Sequence, residues 1–516
     1  LEFMFGRGAR IFNLANILII ATSAFVSKDY LVRGFESLKM RSLNINSCVL
    51  LLNGLVFLHT LIMLIFGMNE ESGIVSYSLC SVFSLLSLSA TDYVKAQTAK
   101  NDIAVMMRSK ELLGILPVDN QSDADVIGHG ISTKGEPDIM YSADVIIPED
   151  YEEISSDDYT HEKIFLFGTI AAAALALAFG LLRSITEKDA RLFATGFVSC
   201  AVLCLPFMRN FISAILKMKN DAALSVGGAV VSGLEAAGKI GKADCVIIDS
   251  EEIFEADVLK FRAVPGSRMA RSDAVVYAAA TLKNTRSLIA NAFDGFLEEA
   301  GIKLPEAEEL QYEDKLGYAC WVAGRRVLVG NREMLVQHSI DAPSEEEEAA
   351  YAKNKKVLYV AVEGIVAATF MVNYKVRSDI RKYVRTFNKT GLVLMLNSGD
   401  PSLNEEFVAS KLAADMAAIK IINTKSAQII EGYKADRQQK KANGLLCAKD
   451  RKNVLLLINS AYNLFEADKV AGVIHLAGLA FCFALLILCV ALKISSFLSN
   501  LPPTSFDPRK SCIDAK

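Results

Sequence analysis

The chain has 516 residues, of which 52% are hydrophobic and 22% charged, and its net charge is −4. It is too apolar for an ordinary soluble enzyme and too charged for a bare membrane bundle, so membrane helices joined to soluble domains are expected. The charge balance excludes a general nucleic-acid footprint, and ten scattered cysteines without a C-x-x-C pair exclude a disulfide framework or a zinc finger.

In chain order, residues 11–26 are apolar but short for a span, and 28–41 form a basic linker. Residues 48–68 read as a membrane helix and 76–90 as its return. Between them, 69–75 holds two glutamates and no Lys or Arg, which places the basic linker in the cytoplasm. The polar stretch 92–162 reads as a small soluble insert. Two more spans follow at 164–182 and 192–216, and Pro206 interrupts the backbone ladder of the second. A large soluble region, 217–469, precedes a last span at 470–492. A bundle of five or six membrane helices is expected.

Within the large region, Val246-Ile247-Ile248 is a β-branched run ending at Asp249, the pattern of a buried parallel strand. Open α/β sheets gather their chemistry at the carboxyl ends of strands. Residues 392–396 run into Asn397-Ser398-Gly399-Asp400, and 445–448 into Lys449-Asp450. A fourth short strand, 419–422, precedes Lys425. Residues 318–329 read as a hairpin turning at Ala323-Gly324, and 357–372 as two strands around Glu363-Gly364. The acidic run 345–348 reads as a solvated loop or helix start. The fold class is an α-helical membrane bundle plus an α/β, doubly wound parallel-sheet domain with an inserted α+β domain. Asp249, Ser398, Lys425 and Asp450 are expected to converge at one end of the sheet.

Three stretches carry a family likeness: Gly34 to Leu50, Gly233-Leu234-Glu235-Ala236-Ala237-Gly238-Lys239 ahead of Asp249, and the glycine-bearing hairpin Gly317 to Asn331. On these the chain resembles the P-type ATPases, specifically their heavy-metal-transporting branch, over nearly its whole length. The resemblance implies membrane helices at 1–91, 163–220 and 470–516 and a truncated actuator-like insert at 92–162. It implies a phosphorylation-type, haloacid-dehalogenase-like domain at 221–255 and 372–469, with a nucleotide-binding-type domain inserted at 256–371. Asp249 would accept a phosphoryl group from ATP, and Ser398, Lys425 and Asp450 would act beside it. Mg²⁺ would sit among Asp249, Glu251 and Asp450, and Gly317, Gly324 and Gly330 would line the nucleotide. Glu136, in Thr133-Lys134-Gly135-Glu136, would serve dephosphorylation.

The departures from the family are extensive. Its D-K-T-G-T is Asp249-Ser250-Glu251-Glu252-Ile253 here. Its T-G-D is Ser398-Gly399-Asp400, and Val454 replaces one acid of the signature matched at 449–454. Arg286-Ser287 stands near the place of its His-Pro pair. Its membrane C-P-C is Leu205-Pro206-Phe207, 43 residues before Asp249. Cys200 and Cys204, one helical turn apart, either replace the lost thiolates as a transport site with Pro206 or simply pack as small hydrophobes. The resemblance with these losses implies a degenerate pump with weak or absent ATP-driven transport. The alternatives are an active cation pump that uses Mg²⁺ and ATP and an aspartyl-phosphate on Asp249, or a membrane-tethered phosphatase. The implied partners are the bilayer, a transported cation and a regulatory protein. The implied location is a bacterial plasma membrane, with the soluble domains in the cytoplasm.

Overall fold

The computed structural model describes residues 2–499 except 42, 67–76, 132–134, 148–161, 187, 191, 205–208, 264–268, 284, 294–296, 299–300, 302, 354, 377–379, 436–443 and 450–452. The chain divides into two units, residues 1–97, 159–218 and 467–516 in one, and 98–158 and 219–466 in the other.

The first unit is helical. Among the described residues, three helices are long and apolar enough to cross a membrane: Ile45–Phe66, Leu166–Thr186 and Val454–Leu485. A fourth arises if the bent pair Arg10–Val26 and Lys28–Lys39 is one span. This is fewer than the five or six expected, and the reasons are local. The helix Ser78–Met106 buries the hydroxyls of Ser81, Ser84, Ser87 and Thr91 and also carries Asp92, Lys95, Lys100 and Asp102. The span expected over 192–216 is two helices, one ending at Cys204 and the next starting at Arg209; Pro206 lies outside the described residues. Polar side chains tie this unit together, as they do where lipid supplies no hydrophobic drive between helices. Asn53 donates to Ser84 Oγ at 3.0 Å, Ser213 donates to Asp468 at 2.8 Å, and His59 Nε2 lies 3.1 Å from Thr195 Oγ1.

The second unit holds two sheets. In chain order the strands are β1 Leu112–Pro117, β2 Ile139–Val145, β3 Ala229–Val231, β4 Cys245–Asp249, β5 Phe254–Ala263, β6 Ala307–Glu313, β7 Gly317–Val322, β8 Arg325–Gly330, β9 Lys356–Val362, β10 Ile365–Val376, β11 Val393–Asn397, β12 Ile419–Ile421 and β13 Leu445–Ala448. The first sheet has the order β12-β11-β4-β2-β1-β13-β3. β12, β11, β4 and β2 run parallel, and β1 is antiparallel to both β2 and β13. β4 lies in its interior: Cys245 to Ile248 are at most 1% exposed, as a strand covered on both faces must be.

The insert 92–162 is therefore not a separate body. Its strands β1 and β2 lie between β4 and β13. Leu112, Leu116, Ile139 and Tyr141 share a core with Cys245, Ile247, Met395 and Leu446. Both segments are apolar enough to be buried on two faces, and a sheet interior is where such strands are stable.

The second sheet, β5-β10-β9-β8-β7-β6, is antiparallel throughout. Both expected hairpins are present, with positive φ at Ala323-Gly324 and at Glu363-Gly364, the two-residue turn that suits strand twist. The acidic run is a helix start: Ser344 and Glu347 form a reciprocal cap ahead of the helix Glu345–Ala352.

Candidate active site

Asp249 ends β4 directly opposite Asn397, the last residue of β11. Parallel pairing sets the two side chains beside one another at the sheet's carboxyl end. Asn397 Nδ2 donates to Asp249 Oδ1 at 2.8 Å. Lys434 Nζ donates to both Asp249 oxygens, at 2.7 and 2.6 Å. Arg286 Nη1 donates to Asn397 Oδ1 at 2.9 Å, which fixes the amide so that its NH₂ faces Asp249. Arg286 Nε also pairs with Glu431 at 3.1 Å, and its guanidinium lies 5.7 Å from the Tyr312 ring centre. Asp249, Asn397, Lys434, Arg286 and Glu431 line a cleft of about 300 Å³ together with Ser250, Glu251, Ser287 and Asn291.

Ser398 and Asp400 face elsewhere. The Ser398 hydroxyl accepts from the Asp400 backbone N–H at 3.1 Å and closes its own turn. The Asp400 carboxylate is 2% exposed and accepts from the Tyr374 hydroxyl at 2.6 Å. Burial pushes its pKa up to about 6 against the pull of the Tyr374 hydroxyl, the Ser402 amide, and the Ser287 and Leu288 donors.

The expected convergence is met only in part. Asp249 is at the sheet's carboxyl end, but the lysine that reaches it is Lys434. Lys425 sits exposed in the first turn of the helix Thr424–Ala435. Asp450 lies outside the described residues. The strand that leads to it, β13, is separated from β4 by β2 and β1, which is three strand spacings or roughly 14 Å. Glu136 is exposed just ahead of β2, whose first residue pairs with Cys245. It therefore stands at the amino end of the strands, roughly 13 Å along β4 from Asp249. A dephosphorylating contact between the two is not formed.

Two side chains of this site are not among those expected to act here. Lys434 was legible in principle: 427, 430, 431 and 434 form one helical stripe, in which Ala427 and Ile430 are buried and Glu431 and Lys434 line the cleft. Arg286 marks only a missing His-Pro pair in sequence, and its long reach to Asn397 leaves no local pattern.

The groups a Mg²⁺–nucleotide would need are arranged differently here. Lys434 donates to both Asp249 oxygens and Asn397 to one of them. Among the described residues, no three His, Cys, Asp or Glu side chains are grouped to hold a metal ion. A Cβ on Gly317 would stand 2.3 Å from the Val329 carbonyl, and one on Gly330 2.4 Å from both the Leu316 carbonyl and Met334 Sδ. Protein atoms thus fill those spaces, while Gly324 sits in the open hairpin turn. In the membrane unit, Cys200 is buried among Ala172, Ala176, Ala201 and Leu479, an apolar setting. The Cys204 side chain lies outside the described residues.

Fold and site together define a membrane protein whose soluble unit is a doubly wound α/β domain with an inserted antiparallel domain and a strand-end aspartate. No family model matches the chain. It is 21% identical over 239 residues to a copper-exporting P-type ATPase of Legionella pneumophila, covering 46% of this chain and 32% of that protein. It is 26% identical over 191 residues to a copper-transporting ATPase of Rhizobium meliloti, covering 36% and 23%, and 21% identical over 241 residues to a silver-exporting P-type ATPase of Salmonella typhimurium, covering 46% and 29%. The chain thus matches a third or less of each relative's length. Among solved structures, a zinc-transporting PIB-type ATPase in the E2P state aligns over 97% of this chain and 95% of its own, at 12% identity and a TM-score of 0.41. The chain resembles the heavy-metal P-type ATPases.

Proposed function

We propose that the chain is a degenerate heavy-metal P-type ATPase, with ATP-driven transport weak or lost. The observation that supports this most is the pairing of Asp249, with Lys434 on both oxygens and Asn397 on one. In the sequence, the Lys and Thr that would steady a phosphoryl group are replaced by Ser250 and Glu251. A carboxylate added beside a carboxylate repels an incoming triphosphate. Losing one preorganised contact to a transferring group costs about 3 kcal/mol, a hundred-fold or more in rate. Several such losses fall on one transition state here. On this reading the protein acts as a bilayer-embedded scaffold or regulatory partner in a bacterial plasma membrane, with the soluble unit in the cytoplasm.

The test is phosphate release from ATP and from a simple phosphomonoester, together with acid-stable phosphoenzyme, for the full chain and for Asp249→Asn. No turnover, and a variant indistinguishable from wild type, is the expected result. Robust ATP turnover abolished by Asp249→Asn would establish an active pump instead. Turnover of the phosphomonoester alone would establish a phosphatase.

A further inference from the structure

We infer that Arg286 is an internal latch. It holds the inserted domain closed over Asp249 without nucleotide, and it competes with any phosphate-bearing ligand for the cleft. The inserted domain meets the loop after β11 at several points. The Gly399 N–H donates to the Arg286 carbonyl at 3.2 Å, Asn331 Nδ2 donates to the Pro401 carbonyl at 3.2 Å, and Lys315 pairs with Glu405 at 3.2 Å. Most of these are individually weak. The Lys315 side chain is 60% exposed, and such surface pairs contribute little.

Arg286 differs in kind. Its side chain is only 24% exposed, and its guanidinium joins the two domains through Nη1 to Asn397 and Nε to Glu431 while one face lies toward Tyr312. Here a phosphate that takes the guanidinium's Nε edge in a two-point pair must displace Glu431, and one that takes the bonded Nη1 donor must displace Asn397. Breaking the Asn397 bond also releases the amide that restrains Asp249. The crowding at Gly399 points the same way: a Cβ there would stand 2.1 Å from the Tyr318 hydroxyl, so the loop and the inserted domain are in direct contact. One domain contributes the cation and the other both acceptors, which is the arrangement of a self-occupied site.

The latch rests on reading this cleft as the disabled site, yet its test needs no turnover. Hydrogen–deuterium exchange of the full chain in detergent micelles would be followed for wild type, Arg286→Ala and Glu431→Gln, with ATP binding measured in parallel. Both variants should exchange the 397–403 loop at least about ten-fold faster, the ratio set by one charge-assisted hydrogen bond. β9 and β10 should stay protected, and ATP should bind more tightly in both variants. Unchanged exchange in the loop in both variants would overturn the latch. So would weaker ATP binding in Arg286→Ala, which would make Arg286 a ligand contact instead. Phosphoenzyme in the wild type would fell the proposed function and leave the exchange result to be judged separately.

Discussion

Gly317→Ala is expected to destabilise the six-stranded sheet by about 3 kcal/mol or more, as backbone strain and steric overlap combine. Gly317 opens β7 with φ +149, a region that L-residues rarely enter. Its added Cβ would stand 2.3 Å from the Val329 carbonyl and 2.5 Å from Gly330 Cα, both backbone atoms of the paired strand β8. Neither can swing aside as a side-chain tip would, so the β7–β8 pairing itself must open. Gly324→Ala is the control: φ is +75 but its Cβ would meet nothing within 4 Å, so about 1 kcal/mol is expected. The chain's single tryptophan, Trp321, lies on β7 and reports directly on this sheet by its fluorescence during denaturant unfolding in detergent. If Gly317→Ala melted like wild type but lost ATP binding, the glycine would be there to admit a nucleotide and the packing account would be wrong.

Why some of this was legible and some was not follows from the range of each interaction. β4, β11 and β13 announce themselves because each is a short apolar run that stops at a polar residue, a pattern written within about six residues. The hairpins at Gly324 and Gly364 are equally local. Sheet order is not local. The segments of β1 and β2 read only as part of a small soluble insert, since nothing in Leu112 to Pro117 states which neighbour it pairs with. The insertion between β4 and β13 depends on contacts more than 100 residues apart, such as Ile139 with Cys245. That order sets β13 three strands from β4, and the direction of β2 puts Glu136 at the amino end of the sheet. The choice of Lys434 over Lys425 has a similar origin. Both lie on one helix, and the family pattern favours the lysine nearer the strand, whereas the helix stripe carrying Ala427 and Ile430 selects the other.

The stability of the soluble unit is expected to fall by about 3 kcal/mol between pH 4 and pH 7 through Asp400 alone. Its carboxyl is buried, and its pKa of about 6 exceeds the ordinary value of 3.8. At pH 3 it is protonated whether the chain is folded or not. Between about 4 and 6 the folded chain keeps a proton that the unfolded chain has released, so stability declines as pH rises. Above about 7 both states are ionised, and the loss is complete at about two units of 1.4 kcal/mol each. Asp400→Asn keeps a carbonyl to accept the Tyr374 hydroxyl and removes the ionisation. The measurement is Trp321-detected unfolding of the full chain at several pH values, taken as variant minus wild type so that other titrating groups cancel. That difference should rise in favour of the asparagine from pH 4 to 7 and then level off. A flat difference would mean that Tyr374 and the surrounding donors offset burial in full. A falling one would mean that those donors outweigh burial and hold the carboxyl in its charged form. On the structural reading it is instead a buried carboxyl held by the Tyr374 hydroxyl, turned away from the cleft that Asp249 lines.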